Sequence, residues 1–482
     1  MGRLILIVNF LALTFIISFI KLDCRKSSTR LPCYFGGQCK EKLIFARIST
    51  FNTWLWTTSI LGACEAGIIY GFLGCFSYAI GASMGFFFTL QVMYSGRRKY
   101  GKVFFVSDSI REKFSGQGEI VTIVMLVMMA AYTIVQQLVG MANVFSVVWG
   151  LSYKIIAIMM ISIIGVFVML TGEKGVVIAD ILYFPIIISG IIVMAGLFIA
   201  GSEANIFQEG IKLVVEDFYN SIAGFQVRAF LFGVGYYIIV MTIMGATQTL
   251  LDPTYYRIAN MIEDPRNAVK AIRDGGIILW TPVVIIISTI MCCIWRAKMG
   301  TQMLSGSNTN ELVQVLFVES NSTLLKIVFS LVIVAIVIVT STNTLMGVFS
   351  ILTQRAYALI VDDKNIKEEE SMRFGRIFLP MFFVFCGLVT LSLDNLSLFL
   401  INIACGIFFA APCGVILLGK NYQTTNIKIY YGAILSGIAT GITAWFISPL
   451  GSGSVLLGTT ISFILPAVII GFIDFIQKYA EV

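Results

Sequence analysis

Two acidic residues could do chemistry here because each stands in a long apolar stretch. Glu65 lies in Ser59-Ile-Leu-Gly-Ala-Cys-Glu-Ala-Gly67, with Gly71 and Gly74 just beyond. An ionisable side chain at membrane depth costs about 3 kcal/mol or more, so it is a functional candidate by default. The surrounding glycines weaken a helix and predict freed carbonyls, which are tolerated in a bilayer only where they line a cavity. The competing reading is close helix packing through small residues, with a protonated Glu65 bonded to a neighbour. Asp180, in Gly175-Val-Val-Ile-Ala-Asp-Ile-Leu-Tyr183, reads as part of an ion path or as a buried partner for a loop cation. The run Thr340-Ser-Thr-Asn-Thr344 offers neutral hard oxygens that suit sodium. Hydroxyls in a membrane helix equally bond back to the preceding turn. Gln136 and Gln137 could hydrogen-bond a solute or pack between helices.

Other chemistries are excluded. The chain has no histidine, so it has no Ser-His or Cys-His nucleophile and no histidine metal ligand. Its 10 cysteines form no CxxC pair. Cys24, Cys33 and Cys39 fall in a polar segment, and the others are expected as small packing residues. No metal centre and no organic cofactor is expected, and an enzyme is not.

The elements that must position these residues are membrane helices. Of 482 residues, 58 % are apolar and 12 % charged, against about 25 % charged in a soluble domain. Apolar stretches occur at 4–20, 52–71, 74–95, 119–143, 151–170, 176–200, 227–249, 276–295, 327–350, 377–393, 396–418, 429–449 and 455–476, which predicts 13 spans in one membrane domain, 1–482. The first is expected as an uncleaved anchor, since no small-residue cleavage site follows it. With the N-terminus outside, 26 of the 33 Lys and Arg fall on inner segments and 7 on outer ones, a strong positive-inside bias that puts the C-terminus in the cytoplasm. Segment 201–225 predicts a short surface helix. No segment is large enough for a soluble catalytic or receptor domain.

Taken in order, several motifs resemble the sodium:solute symporter family over about residues 50–445. Trp56 to Gly74, followed by Tyr78 and Gly81, resembles its broken first core helix. Ser107 to Ser115 resembles its short inner segment. Thr171 to Asp180 resembles a Gly-Gly…Thr-Asp…Gln stretch, with Tyr183 where the family often has Gln. Asp252 to Ala271 resembles its inner Gln-Arg loop, with Tyr256 before Arg257. Val339-Thr-Ser-Thr342 resembles its Met-Ser-Thr motif. Ala411-Pro-Cys-Gly414, Gly432-Ala433, Gly437 and Gly441 resemble its closing motifs.

The resemblance implies an all-α integral membrane protein with a LeuT-like 5+5 inverted-repeat core. The repeats would be 51–200 and 226–418, with one extra helix before (4–20) and two after (429–476). It implies sodium ligands at the carbonyls of Leu61, Cys64 and Ile338 and the hydroxyls of Ser341 and Thr342. Asp180 would lie on the inward ion path. The solute would sit near Gly62, Ala63, Glu65 and Gly67, with Gln136 and Gln137 adding hydrogen bonds. The expected function is sodium-coupled symport of a small organic solute by alternating access. The alternatives are a proton-coupled amino-acid carrier of the same superfamily and a non-transporting solute sensor. Expected partners are the solute, sodium and the bilayer of the cell (inner) membrane, with neither nucleic acid nor an obligate protein partner.

Overall fold

The computed structural model describes residues 1–26, 43–101, 103–201, 203–223, 227–300, 309–320, 322–361, 368–393, 398–418, 426–447 and 452–480; Cys33, Cys39 and Lys420 lie outside them. Every ordered element among the described residues is helical. In chain order they are α1 (Gly2–Lys26), α2 (Leu43–Trp54), α3 (Thr57–Tyr70), α4 (Leu73–Tyr100), α5 (Val106–Trp149) and α6 (Tyr153–Ala200). Then come α7 (Ala204–Ala223), α8 (Val227–Leu250), α9 (Pro253–Asn260), α10 (Pro265–Arg273), α11 (Trp280–Met299) and α12 (Thr309–Val313). The chain closes with α13 (Thr323–Ile351), α14 (Tyr357–Ile360), α15 (Glu368–Ser392), α16 (Leu398–Leu418), α17 (Ile427–Ile447) and α18 (Ser452–Ala480).

Eight helical stretches among the described residues are individually long and apolar enough to cross a membrane. Two expected spans, 151–170 and 176–200, are joined without a loop in α6. Helical geometry is interrupted there at Gly172, whose φ of 58° and ψ of −150° lie where a Cβ is strained. The surface helix expected at 201–225 is α7. The expected span 52–71 is different: helix begins nine residues earlier, at Leu43, and breaks at Leu55-Trp56.

The centre of the bundle is α13. Every residue from Val332 to Ser350 is buried, and its flanks pack on α5 and α6. A helix apolar all round is a core element, while α1 and α15 keep exposed apolar faces suited to lipid. The most extensive helix contact among the described residues is α4 along α8. A Cβ on Gly85 would lie 2.2 Å from the Thr242 carbonyl oxygen, and one on Gly245 2.3 Å from that of Ala82. Gly85→Val is therefore expected to cost about 1–3 kcal/mol by overpacking, read as a lower thermal midpoint in detergent, whereas Gly432→Ala, which meets open space, will leave it unchanged.

Charged residues gather at the two ends of the bundle. At one end Arg47 pairs with Asp274 at 2.8 Å, Lys99 with Glu112 at 2.6 Å and Arg355 with Asp108 at 2.9 Å. Arg97 there donates to the carbonyls of Ile262 and Glu263. Lys99 and then Tyr100 hold the Glu112 carboxyl below its ordinary range. At the far end of α11, Arg296 pairs with Asp217 at 2.6 Å and Lys298 with Glu203 at 3.2 Å. The first end thus collects charged residues from 43–50, 96–118, 250–275 and 351–376, the segments expected on one side of the membrane.

Candidate functional site at the helix break

The break between α2 and α3 is built by hydroxyl, indole and amide groups. Trp56 is extended (φ −93°, ψ 162°), and its backbone N–H donates to Ser59 Oγ at 3.0 Å. Its indole N–H donates to the Thr53 carbonyl at 2.7 Å. Gln137 of α5 accepts from both the N–H and the hydroxyl of Thr57 at 3.0 Å. These groups satisfy backbone atoms that a helix terminus leaves without partners. Sequence reasoning placed the break among Gly62, Gly67, Gly71 and Gly74. Side-chain capping by Ser59 and Gln137 won over glycine flexibility; Gly67 and Gly74 serve close packing, and Gly71 ends α3 with a φ of 73°.

Opposite the break lies α13. The Thr340 hydroxyl donates to the carbonyl of Asn52 at 3.0 Å and stands 3.4 Å from that of Leu55. Next to it, the Ser341 hydroxyl is fully buried with no hydrogen-bond partner. Thr342 is occupied: its hydroxyl donates to the Val339 carbonyl at 3.1 Å within its own helix. Leu61 and Cys64 lie inside α3, past the break, in regular helix. The hydroxyl bonds that α13 makes toward this broken helix reach Asn52 and Leu55, because the helix starts earlier and breaks earlier than expected. Ile338 and Ser341 are both buried on α13, and of the expected hydroxyls Ser341 alone is unengaged.

Asp180 anchors a buried polar chain across four elements. Its carboxylate accepts from Ser49, from Asn52 Nδ2 at 3.0 Å and from Asn343 Nδ2 at 2.8 Å. The Asn343 side-chain Oδ1 accepts from Arg257 of α9, and Arg257 also pairs with Glu173 beside the Gly172 kink. Both members of that pair are about 5 % exposed. The chain Ser49/Asn52–Asp180–Asn343–Arg257–Glu173 thus ties α2, α6, α13 and α9 together, on the charged end where Arg97 and Arg355 sit. Glu173, Ser49, Asn52, Thr340 and Asn343 were absent from the expected site. Thr340 and Asn343 were visible in the Thr340–Thr344 run, whereas Ser49 precedes the expected span 52–71 and Asn52 is only its first residue.

The expected solute residues divide. Gln136 is fully buried with neither amide atom partnered. Gln137 caps α3 and leaves its Nε2 unpartnered. Near them Met129, Tyr132, Met244, Thr247, Gln248, Gly406 and Phe409 line a narrow crevice that is closed to a water molecule in this conformation. Tyr132 links it to the break, with its ring 6.2 Å from Trp56 and 6.1 Å from Phe409. Gly62 has ordinary van der Waals space before Tyr78, and Ala63 is fully buried. Gly67 has no such space: a Cβ there would lie 2.4 Å from Cys75 Sγ. Glu65 is fully buried on the packed side of α3, beside Tyr78, Tyr237 and Thr309. Gly67 and Glu65 thus face packed helices rather than the crevice beside Tyr132.

Comparison with known proteins bears on the family and the fold. The model of the sodium:solute symporter family matches residues 40–440. A Na+-coupled sialic acid symporter, solved in a substrate-bound outward-open state, superposes with a TM-score of 0.72 at 12 % identity, covering 98 % of each chain. Mhp1, a nucleobase-cation-symport-1 family transporter in a closed conformation with bromovinylhydantoin bound, superposes with a TM-score of 0.56 at 11 % identity, covering 92 % of this chain and 95 % of its own. No curated protein matches the chain significantly. At such identities the two structures speak for a shared transporter fold. An integral, multi-pass membrane protein with a sodium-symporter family match over most of its length is a transport protein, with sodium as the family's coupling ion, and the chain belongs to the sodium:solute symporter family.

Proposed function

We propose that this chain carries a small organic solute across the cell (inner) membrane together with sodium, by alternating access. The observation that carries this reading is the Thr340 hydroxyl set against the carbonyls of Asn52 and Leu55, with the unengaged Ser341 hydroxyl beside it. A sodium ion would take these four neutral oxygens as ligands once the Thr340 proton turns aside. The carbonyl end of α2 favours a cation there, as a helix C-terminus does. Of the expected ligand set this keeps Ser341. It replaces Leu61 and Cys64 with Asn52 and Leu55, and Thr342 with Thr340.

The solute takes the crevice beside the break, which must widen to admit it, against Tyr132, Phe409, Thr247 and Gln248, with the free amide of Gln136 as a hydrogen-bonding arm. Sodium bridging α2/α3 and α13 favours the arrangement that binds solute, and the two ligands raise each other's affinity by the same factor. On the cytoplasmic side, Arg257 closes α9 against Glu173 and Asn343. Asp180 receives sodium as it leaves the break, and the polar chain opens around it. Thirteen spans, the inverted repeats, an outer N-terminus and a cytoplasmic C-terminus complete this reading, supported by the gathering of the basic segments at one end.

The reading is tested on the purified full chain by thermal unfolding in sodium or potassium chloride across a panel of small solutes. A ligand present at about 100 times its Kd adds about 2.7 kcal/mol. Sodium should raise the midpoint where potassium does not, and one class of solute should raise it further only in sodium. A solute that stabilises equally in both salts points to a sensor or a proton-coupled carrier.

A further inference from the structure

Glu65 is left over once sodium and solute have been placed. Its side chain is wholly buried in the middle of α3, and neither carboxyl oxygen closes a well-formed hydrogen bond. The groups around it are all neutral or acidic. Tyr78 faces it from α4, Tyr237 from α8, Thr309 from α12, and Cys64 is its neighbour on α3. Cys75 of α4 and Cys292 of α11 close the next turn at Gly67. Among the described residues no lysine or arginine pairs with it.

An ionised carboxylate so placed would have lost its water and gained no countercharge, a state that buried acids leave by taking a proton. Nor is there room for an organic cation, since even a methyl group on Gly67 would collide with Cys75 Sγ. We propose that Glu65 is a proton-binding site. Closure of α11 and α12 over α3 holds the carboxyl group protonated, with its O–H toward Thr309. When those elements part, the O–H bond breaks, the proton passes to the water that enters, and a carboxylate remains. Because Glu65 and the sodium-facing break share the broken helix α2/α3, proton release accompanies the movement that sodium drives. That last link rests on the sodium reading, whereas the proton site does not.

Infrared difference spectroscopy on the full chain in liposomes tests both parts. In sodium-free potassium buffer at about pH 7.5, where an exposed glutamate is ionised, wild type minus Glu65→Gln should show the carbonyl stretch of a protonated carboxyl group. Glu65→Asp should restore the band at a shifted frequency, which separates loss of the acid from a folding defect. A spectrum without that band overturns the proton site. Adding sodium should reduce the band by at least half while changing tryptophan emission. If emission responds and the band does not, proton release is not coupled to sodium. If emission does not respond, the sodium reading fails, and the sodium-free band still decides the proton site.

Discussion

Arg257→Met should lower the stability of the protein by about 3–5 kcal/mol, the usual cost of leaving one partner of a buried ion pair without its countercharge. Glu173 and Arg257 are nearly inaccessible, and Arg257 also donates to Asn343. Glu173→Met should be damaging for the same reason. The double variant Arg257→Met, Glu173→Met should recover much of the loss, because two apolar side chains of similar volume replace a buried pair at little net cost. Thermal midpoints of the four proteins would show this as strong non-additivity. Function should not recover with stability. If the pair closes the cytoplasmic side, liposomes holding the double variant should leak sodium faster than those holding wild type. Additive midpoints would mean that the two residues act separately, and a tight double variant would remove them from the gate.

The second large effect concerns sodium. Thr340→Val removes a hydroxyl and keeps its shape, and Ser341→Ala does the same beside it. Together they delete two of the four oxygens set at the break, so sodium affinity should fall by more than tenfold, which is more than 1.4 kcal/mol. Thr340→Ser should retain most of it. Thr342→Ala should change it little, since that hydroxyl is spent on the Val339 carbonyl. Sodium titrations of the thermal midpoint would rank the four variants. A larger loss at Thr342 than at Thr340 would argue for the ligand set expected from the sequence instead.

That comparison marks where the sequence was legible and where it was not. Hydropathy located most of the helices, because the bilayer punishes any other backbone. Asp180 was found because a lone acid in an apolar stretch requires partners. The partners themselves were hidden, since Ser49, Asn52, Asn343, Arg257 and Glu173 are brought together only by the fold. The break was misplaced for a related cause. Its local signal, Thr53-Trp-Leu-Trp-Thr-Thr-Ser59, is weaker to the eye than a row of glycines. Its decisive cap is Gln137, 80 residues further along the chain. Sequence reading gave Gln137 to the solute, and in the structure it is the residue that holds α3 open.

Glu65 carries a similar lesson. Its unusual chemistry was plain in the sequence and drew it toward the solute. Burial against Tyr78, Tyr237 and Thr309, with Gly67 jammed on Cys75, separates it from the crevice beside Tyr132.

Trp54 and Trp56, two of the six tryptophans, stand at the break with ring centroids 5.7 Å apart, so intrinsic emission includes a reporter of sodium binding there. The most direct measurement is a sodium titration of tryptophan emission in the purified full chain, with potassium as the control and without added solute. The account predicts a saturable change in sodium, none in potassium, and loss of the response in the variant carrying Thr340→Val and Ser341→Ala. A response that survives in that variant with its midpoint unchanged would place sodium elsewhere and contradict the account.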